Sequence, residues 1–484
     1  MALKKTDPIV IVGAGIFGLS TALHLARRGY TNVTVLDKNE YDRTQYSYLN
    51  GCDAASADIN KIIRSAYGAQ TEYQALSQEA IAGWNAWNTE IESGSLVPPG
   101  LTRADRVYIN NGHLALLDTP ELPEFERATI ENMEKAGFKD SQLDISSAKN
   151  QAIAKGKGLG HAIDPFNRKR RGLTVAGVLD TTGGLTVADN ACRFALAKAK
   201  SLGVKFIFGP TKGTYSDLVY DLTGKVATGV KTKDGQIHQA ALTLFACGGW
   251  TPSILPQLDG ICETTAGSVA LLKIPKSSPL FERFAPENFP SWQYKMRDGS
   301  KGGLYGFPCN DDGWLKIGYR GTKYTHPTVQ KDGKERSVPI TRWTEEATIK
   351  SIPQQALEVI HDFLDQELPE LGAEGLRPSL TRLCWYTDTF DNHFVIDRVP
   401  DVQGVMVATG GSGHAFKYLP NIGNWVVDII EGVNIDRPAI KAWKWRQLGD
   451  QKPVNVLMEG SRGDRALNNV KLVEDADLTP KANL

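Results

Sequence analysis

The sequence predicts an α/β fold of two lobes, the first of them discontinuous. Three observations lead there: an apolar β-rich run near the N-terminus that breaks into spaced glycines and then a helical pattern, a second α/β stretch from residue 183, and a strand near residue 405 that again ends in glycines. With 484 residues the chain can bury two substantial cores. Lys+Arg equals Asp+Glu at 55 each, so no basic field is present to draw nucleic acid or an anionic membrane. The apolar runs are short of a membrane span, and MALKKTDP enters the first strand without an apolar leader, which predicts a soluble, unsecreted protein. Cys52, Cys192, Cys247, Cys262, Cys309 and Cys384 lack CxxC spacing and suit reduced intracellular thiols, and the histidines show no metal-ligand spacing.

The first element, residues 9–12, feeds into Gly13-x-Gly15-x-x-Gly18 and a helix carrying Leu19, Ala22, Leu23 and Ala26. Gly13 permits the tight turn, Gly15 lets backbone approach a pyrophosphate, and Gly18 lets helix and strand pack closely. The helix start, with Ile16, offers free N–H groups to phosphate oxygens. Gly29 closes the helix, residues 33–36 alternate as a second strand, and Asp37 falls nineteen residues after Gly18, where a carboxylate takes a ribose hydroxyl. An acid there favours FAD or NAD, and Lys38 beside it completes the cofactor set; the alternative is an ordinary βαβ unit.

Residues 38–68 are polar and small, as in a loop that lines a cofactor. Residues 72–92 carry a helical stripe, and residues 107–118 read as a hairpin about Asn110-Asn111-Gly112, where the chain leaves the nucleotide lobe. Helices without visible chemistry occupy 120–170. A helix ended by Gly203, a hairpin at Asp234-Gly235 and a strand stopping at Cys247-Gly248-Gly249-Trp250 follow. The chain is β-rich from about 262, with a helix at 354–364, and the strand at 404–408 breaks at Thr409-Gly410-Gly411-Ser412-Gly413 before a helix beyond Pro420. The division is then 1–95, 171–260 and 368–450 for the nucleotide lobe, 96–170 and 261–367 for the substrate lobe, and 451–484 for a polar tail on the surface.

Four segments carry chemistry: RLCWYTDT with Cys384 and Tyr386, GWLKIGYRG with Lys316 eleven residues after Tyr305, DINKIIR with Lys61 and Arg64, and GGSGHAFK with Gly411, Gly413, His414 and Lys417. Read singly, they also fit a buried structural cysteine, an edge-strand lysine, a solvated helix face and a helix-start lysine with its head in water. Taken together, and placed along nearly the whole chain, they resemble the monomeric sarcosine oxidase family of flavoprotein amine oxidases. Within it the chain is most similar to the fungal branch of saccharopine, pipecolate and fructosyl amino acid oxidases.

The resemblance implies a glutathione-reductase-type FAD domain joined to a substrate domain on a large mixed β-sheet. It implies FAD bound covalently through the Cys384 sulfur to the 8α-methyl group, Lys316 activating oxygen with Tyr305 nearby, and Lys61 touching the flavin. Arg64 and Lys417 then hold the substrate carboxylate, while Gly411, Gly413 and His414 approach the flavin ring. The implied reaction oxidises the C–N bond of a secondary or N-substituted amino acid and yields hydrogen peroxide, with a small amino acid and oxygen as partners and the chain as a monomer. The rivals are oxidative cyclisation of an N-methylated aromatic amino acid and an FAD dehydrogenase using another acceptor. Arg320 replaces a histidine of the bacterial members, which points to a second acidic group on the substrate or to an internal salt bridge. Tyr386 stands where fructosyl amino acid oxidases carry a second cysteine, which argues against deglycation. The ending Lys481-Ala482-Asn483-Leu484 resembles a peroxisomal address, and otherwise the enzyme is cytoplasmic.

Overall fold

The computed structural model describes residues 3–344, 348–474 and 477–478. A six-stranded sheet forms the nucleotide lobe, with Ile9–Val12 at its centre between Val33–Asp37 and Leu242–Phe245. Lys205–Phe208 lies beyond Val33–Asp37, and Val405–Thr409 lies beyond Leu242–Phe245, all parallel; Val395–Arg398 closes the edge antiparallel. Both faces are covered, which is why Ile9–Val12 and Leu242–Phe245 are buried throughout and, Thr243 apart, apolar rather than alternating. Helix Ile16–Arg27 packs on one face against helix Ile422–Glu431, whose Gly423 N–H donates to Ser20 Oγ at 2.8 Å. A Cβ at Gly423 would collide with the Ser20 carbonyl, so the two ends of the chain meet only because that position is glycine.

The second lobe is built on an eight-stranded mixed sheet. Its long strand Cys262–Lys273 pairs on one side with Leu380–Thr389 and on the other with Trp314–Tyr324, setting Gly267 opposite Cys384 and Leu271 opposite Lys316. Helix Gln354–Glu367 packs on this core, where Phe363 stacks on Trp292 with ring centroids 4.5 Å apart.

Four expectations change. Residues 108–117 are not a hairpin: Tyr108–Ile109 pairs with Gly184–Val187 in a small sheet, whereas His113–Leu117 pairs with Ala176–Asp180 in the large one. Gly112, with φ +79°, redirects the chain between sheets instead of folding it back. Ala176–Asp180 and Leu380–Thr389, allotted by sequence to the nucleotide lobe, run in the large sheet, because a strand's neighbours are set by long-range pairing. The segment 38–68 is more than a loop; Tyr41 and Tyr46 stack at 3.8 Å in the core, and Asn60–Ile63 is a strand, so KIIR is no helix face. The tail is anchored, with Leu467 and Val473 buried in the second core. Lys481 to Leu484 lie outside the described residues.

Candidate active site

A cavity of about 470 Å³ lies between the lobes. At one end stands the glycine turn. A Cβ at Gly13 would strike the Ala246 carbonyl and one at Gly18 the Gly13 carbonyl, whereas one at Gly15 would meet nothing nearer than Ser56 Oγ at 3.7 Å. Gly13 and Gly18 are thus packing positions, and Gly15 is open to the cavity. Helix Ile16–Arg27 is capped by Gly15, with no side-chain cap and no acid in its first turn, so its first N–H groups are left for an anion.

Asp37 holds this end in shape by accepting from Ala14 N–H and Asn39 N–H at 2.8 Å each. Burial lifts its carboxyl above the usual value against those hydrogen bonds. Lys38 pairs with Asp53 at 2.9 Å and lies 3.9 Å over the Trp250 ring.

Behind the middle of the cavity, reached through Lys61 and Cys384 on its lining, the two lobes contribute a charged cluster. Asp58 Oδ2 accepts from Lys61 Nζ at 2.6 Å and Lys316 Nζ at 2.9 Å, and Arg382 Nη2 stands 3.6 Å away. Burial would raise the Asp58 carboxyl, but Lys316, Lys61 and Arg382 outweigh it and hold it far below the carboxylate range. Lys316 is pulled down to about 7, by burial first and by Lys61 beside it, against the attraction of Asp58. Cys384 Sγ is 3.8 Å from Lys61 Nζ. Burial would raise this thiol too; Lys61 and Arg382 prevail and hold it below its ordinary value. Tyr305 packs over Gly318 of the neighbouring strand, and the buried Tyr386 hydroxyl has no hydrogen-bond partner.

At the far end the Tyr67 hydroxyl is a hub. Lys417 Nζ donates to it at 3.0 Å and Tyr418 Oη at 2.6 Å. His414 Nε2 lies 3.0 Å from the Asn392 carbonyl, to which it donates, leaving Nδ1 to accept from Tyr67 at 3.0 Å. Arg64 lies 5.1 Å over the Tyr67 ring and donates to the Ala66 carbonyl. Arg320 reaches only the Ser412 carbonyl, at 3.5 Å. Burial, then Arg64 and Arg320, hold the Lys417 ammonium well below its ordinary value. An anion placed among these cations would restore its charge.

The structure brings Gly13, Gly15, Ile16, Asp37, Lys38, Lys61, Arg64, Tyr305, Arg320, Cys384, Tyr386, Gly411, Gly413, His414 and Lys417 to the lining of one cavity. Gly18 packs behind it, and Lys316 stands off the cavity, with its Nζ on Asp58 and on the Asn60 carbonyl at 2.6 Å. Sequence reading missed Tyr67 and Arg382. The first lies three residues after Arg64 of KIIR, and the second two residues before Cys384, on the same face of a strand. The residues fit FAD: an open glycine turn and uncapped helix for the pyrophosphate, Asp37 for a ribose, and the Tyr386 hydroxyl and the Lys61 ammonium at the inner end.

Known proteins agree. L-saccharopine oxidase of Schizosaccharomyces pombe is 28% identical over 449 residues, 91% of this chain and 93% of that protein. Peroxisomal sarcosine oxidase of Mus musculus is 27% identical over 437 residues, covering 87% and 91%. The structure of fructosyl peptide oxidase from E. terrenum superposes with a TM-score of 0.76 at 25% identity, over 99% of this chain and 100% of that one. The family described as FAD dependent oxidoreductase (DAO) matches residues 8–429. With the glycine turn, the acid at Asp37 and the cavity all within that span, the chain belongs to this family of FAD-dependent oxidoreductases.

Proposed function

We propose that the enzyme oxidises the C–N bond of a secondary or N-substituted amino acid, giving an imine that hydrolyses or cyclises, and hydrogen peroxide. The observation that carries this reading is the meeting of Arg64 and Lys417 on one tyrosine, with no salt bridge to a described carboxylate, at the end of a flavin cavity. A buried cation without a counter-ion is costly, and a substrate carboxylate supplies one. Bound FAD supplies the hydride acceptor and passes electrons on to oxygen.

The protein's part is positional. Arg64 presents a planar fork to the carboxylate and Lys417 a point charge, which fixes the α-carbon and the amine relative to the cavity wall. Tyr67, held by Tyr418 and His414, sets the height of the Lys417 ammonium. A cation-rich site favours the neutral amine, so no strong base is needed. We assign Cys384 as the covalent attachment point, because its thiol is held toward the thiolate beside Lys61. Lys316 is the residue we assign to oxygen activation, through the charge it shares with Lys61 across Asp58. We place the enzyme in the peroxisome as a monomer; the KANL ending and the likeness to a peroxisomal sarcosine oxidase support the compartment.

Anaerobic mixing of the holoenzyme with sarcosine, pipecolate, saccharopine and fructosyl-glycine tests the reading. At least one bleaches the flavin, and admitting oxygen then releases peroxide. Bleaching by none of them overturns it.

A further inference from the structure

Beside the main cavity lies a chamber of about 10 Å³, and Gln293 lines both. That is room for one water. Two buried side chains on the chamber lining each hold an unpaired atom, His113 Nε2 and Gln142 Oε1. Both atoms are acceptors. The Ser291 hydroxyl lies 2.9 Å from the Gly184 carbonyl, a contact that uses the hydroxyl proton, so Ser291 Oγ accepts from His113 Nδ1–H at 3.0 Å. Burial, then Arg64, hold the imidazole down to about 3, so the ring is neutral and Nε2 carries a lone pair. Gln142 Nε2 donates to Ser65 Oγ at 3.1 Å, which leaves its carbonyl end for the chamber.

A water there can donate one proton to each acceptor, but it then needs a donor of its own. Among the polar side chains of the lining, Asp180 and Glu126 are carboxylates that already accept from Ser65 and Arg297, and the Thr129 hydroxyl donates to the Phe125 carbonyl. Gln293 has a donor to give. Its amide stands beside the His113 ring without completing a hydrogen bond to Nε2, and its partner across the sheet is Tyr305.

We propose that the chamber binds one ordered water, which donates to His113 Nε2 and Gln142 Oε1 and accepts from the Gln293 amide, and that Gln293 thereby turns its carbonyl oxygen to the substrate cavity as the acceptor for an amine N–H. The two ends of an amide point apart, so spending the N–H on the water commits Oε1 to the other side. Arg64, Arg320 and Lys417 are donors only, and a carboxylate is an acceptor only, so a carbonyl on this wall answers the nitrogen of the substrate. This rests on the reading of Arg64 and Lys417 above and adds the group that meets the amine. An N–H held by Gln293 also fixes the direction of the nitrogen lone pair, and it selects amines that keep a hydrogen on nitrogen.

A high-resolution crystal structure of the wild-type holoenzyme reads the first half: a water within hydrogen-bond distance of His113 Nε2, Gln142 Oε1 and Gln293 Nε2. The second half is read with pyrrole-2-carboxylate and furan-2-carboxylate, which differ in a ring N–H against a ring oxygen and offer the flavin no saturated carbon beside nitrogen. Titration followed by flavin absorbance gives each affinity. The wild type binds the pyrrole acid roughly 3- to 10-fold more tightly, and Gln293→Leu brings the two within about twofold by weakening the pyrrole acid alone. A dry chamber, no gain for the pyrrole acid in the wild type, or a gain that survives Gln293→Leu overturns the proposal and leaves the oxidase reading standing. Binding of neither acid by the wild type overturns the carboxylate reading with it.

Discussion

Lys61 Nζ stands 3.8 Å from the sulfur of Cys384. The two belong to different sheets, Asn60–Ile63 and Leu380–Thr389, so the contact exists only when both are folded. An ammonium at that distance stabilises a thiolate, the form of cysteine that makes carbon–sulfur bonds. Flavin absorbance is expected to stay with the polypeptide after acid precipitation, and Cys384→Ser to release it. A yellow supernatant from the wild-type protein would refute the linkage.

Lys316→Met is expected to slow reoxidation of reduced flavin by orders of magnitude and flavin reduction much less, since a fixed cation lowers the barrier to superoxide formation. Stopped-flow measurement of each half-reaction decides it. Equal slowing of both would mean that Lys316 serves only to hold Asp58, and through it Lys61.

Arg64→Ala or Lys417→Ala is expected to weaken amino acid substrates by about 1.5–3 kcal/mol, the range for a charge-assisted contact, and to leave amines without a carboxylate nearly unchanged. Steady-state kinetics on paired substrates gives the comparison. Uniform loss would point to the flavin site.

His24 gives a pH prediction. Its Nε2 donates to the Pro420 carbonyl at 2.8 Å, and burial, aided by Arg27 and Arg28, lowers it from 6.5 to about 4. The folded pKa lies below the unfolded one, so the folded state takes up fewer protons. The stability this confers is complete above pH 6.5 and is lost as pH falls through the window down to about 4. The loss is at most about 3 kcal/mol. His24→Gln keeps a donor but cannot titrate, and its thermal midpoint should fall less between pH 7 and 4.5 than that of the wild type. Identical declines would assign acid sensitivity to other groups.

The nucleotide lobe was legible because its signals are local: glycine spacing, helix period and an acid at a fixed offset all lie within residues 9–37. Cys384, Lys316, Arg64 and Lys417 could be named only through resemblance, since they lie far apart in the chain and nothing in composition says that they gather on and behind one cavity. Strand partners were the weakest reading. Tyr108–Ile109 and His113–Leu117 look like a hairpin from the turn between them, but each finds a better buried neighbour elsewhere. Tyr67 was missed because its importance comes from Lys417, Tyr418 and His414, all more than three hundred residues away.

The way the central sheet sets Ile9–Val12, Leu242–Phe245 and Val405–Thr409 side by side bears on how the enzyme is born. A ribosome delivers the glycine turn first and the Gly411–Lys417 segment almost last. For the first half of synthesis the early strand has no partner on its second side, and nascent chains of even four-fifths length still lack the Gly411–Lys417 turn. The flavin cradle is therefore complete only once helix Ile422–Glu431 docks on helix Ile16–Arg27. A chain truncated before that helix lacks the Gly423 position on which helix Ile16–Arg27 rests.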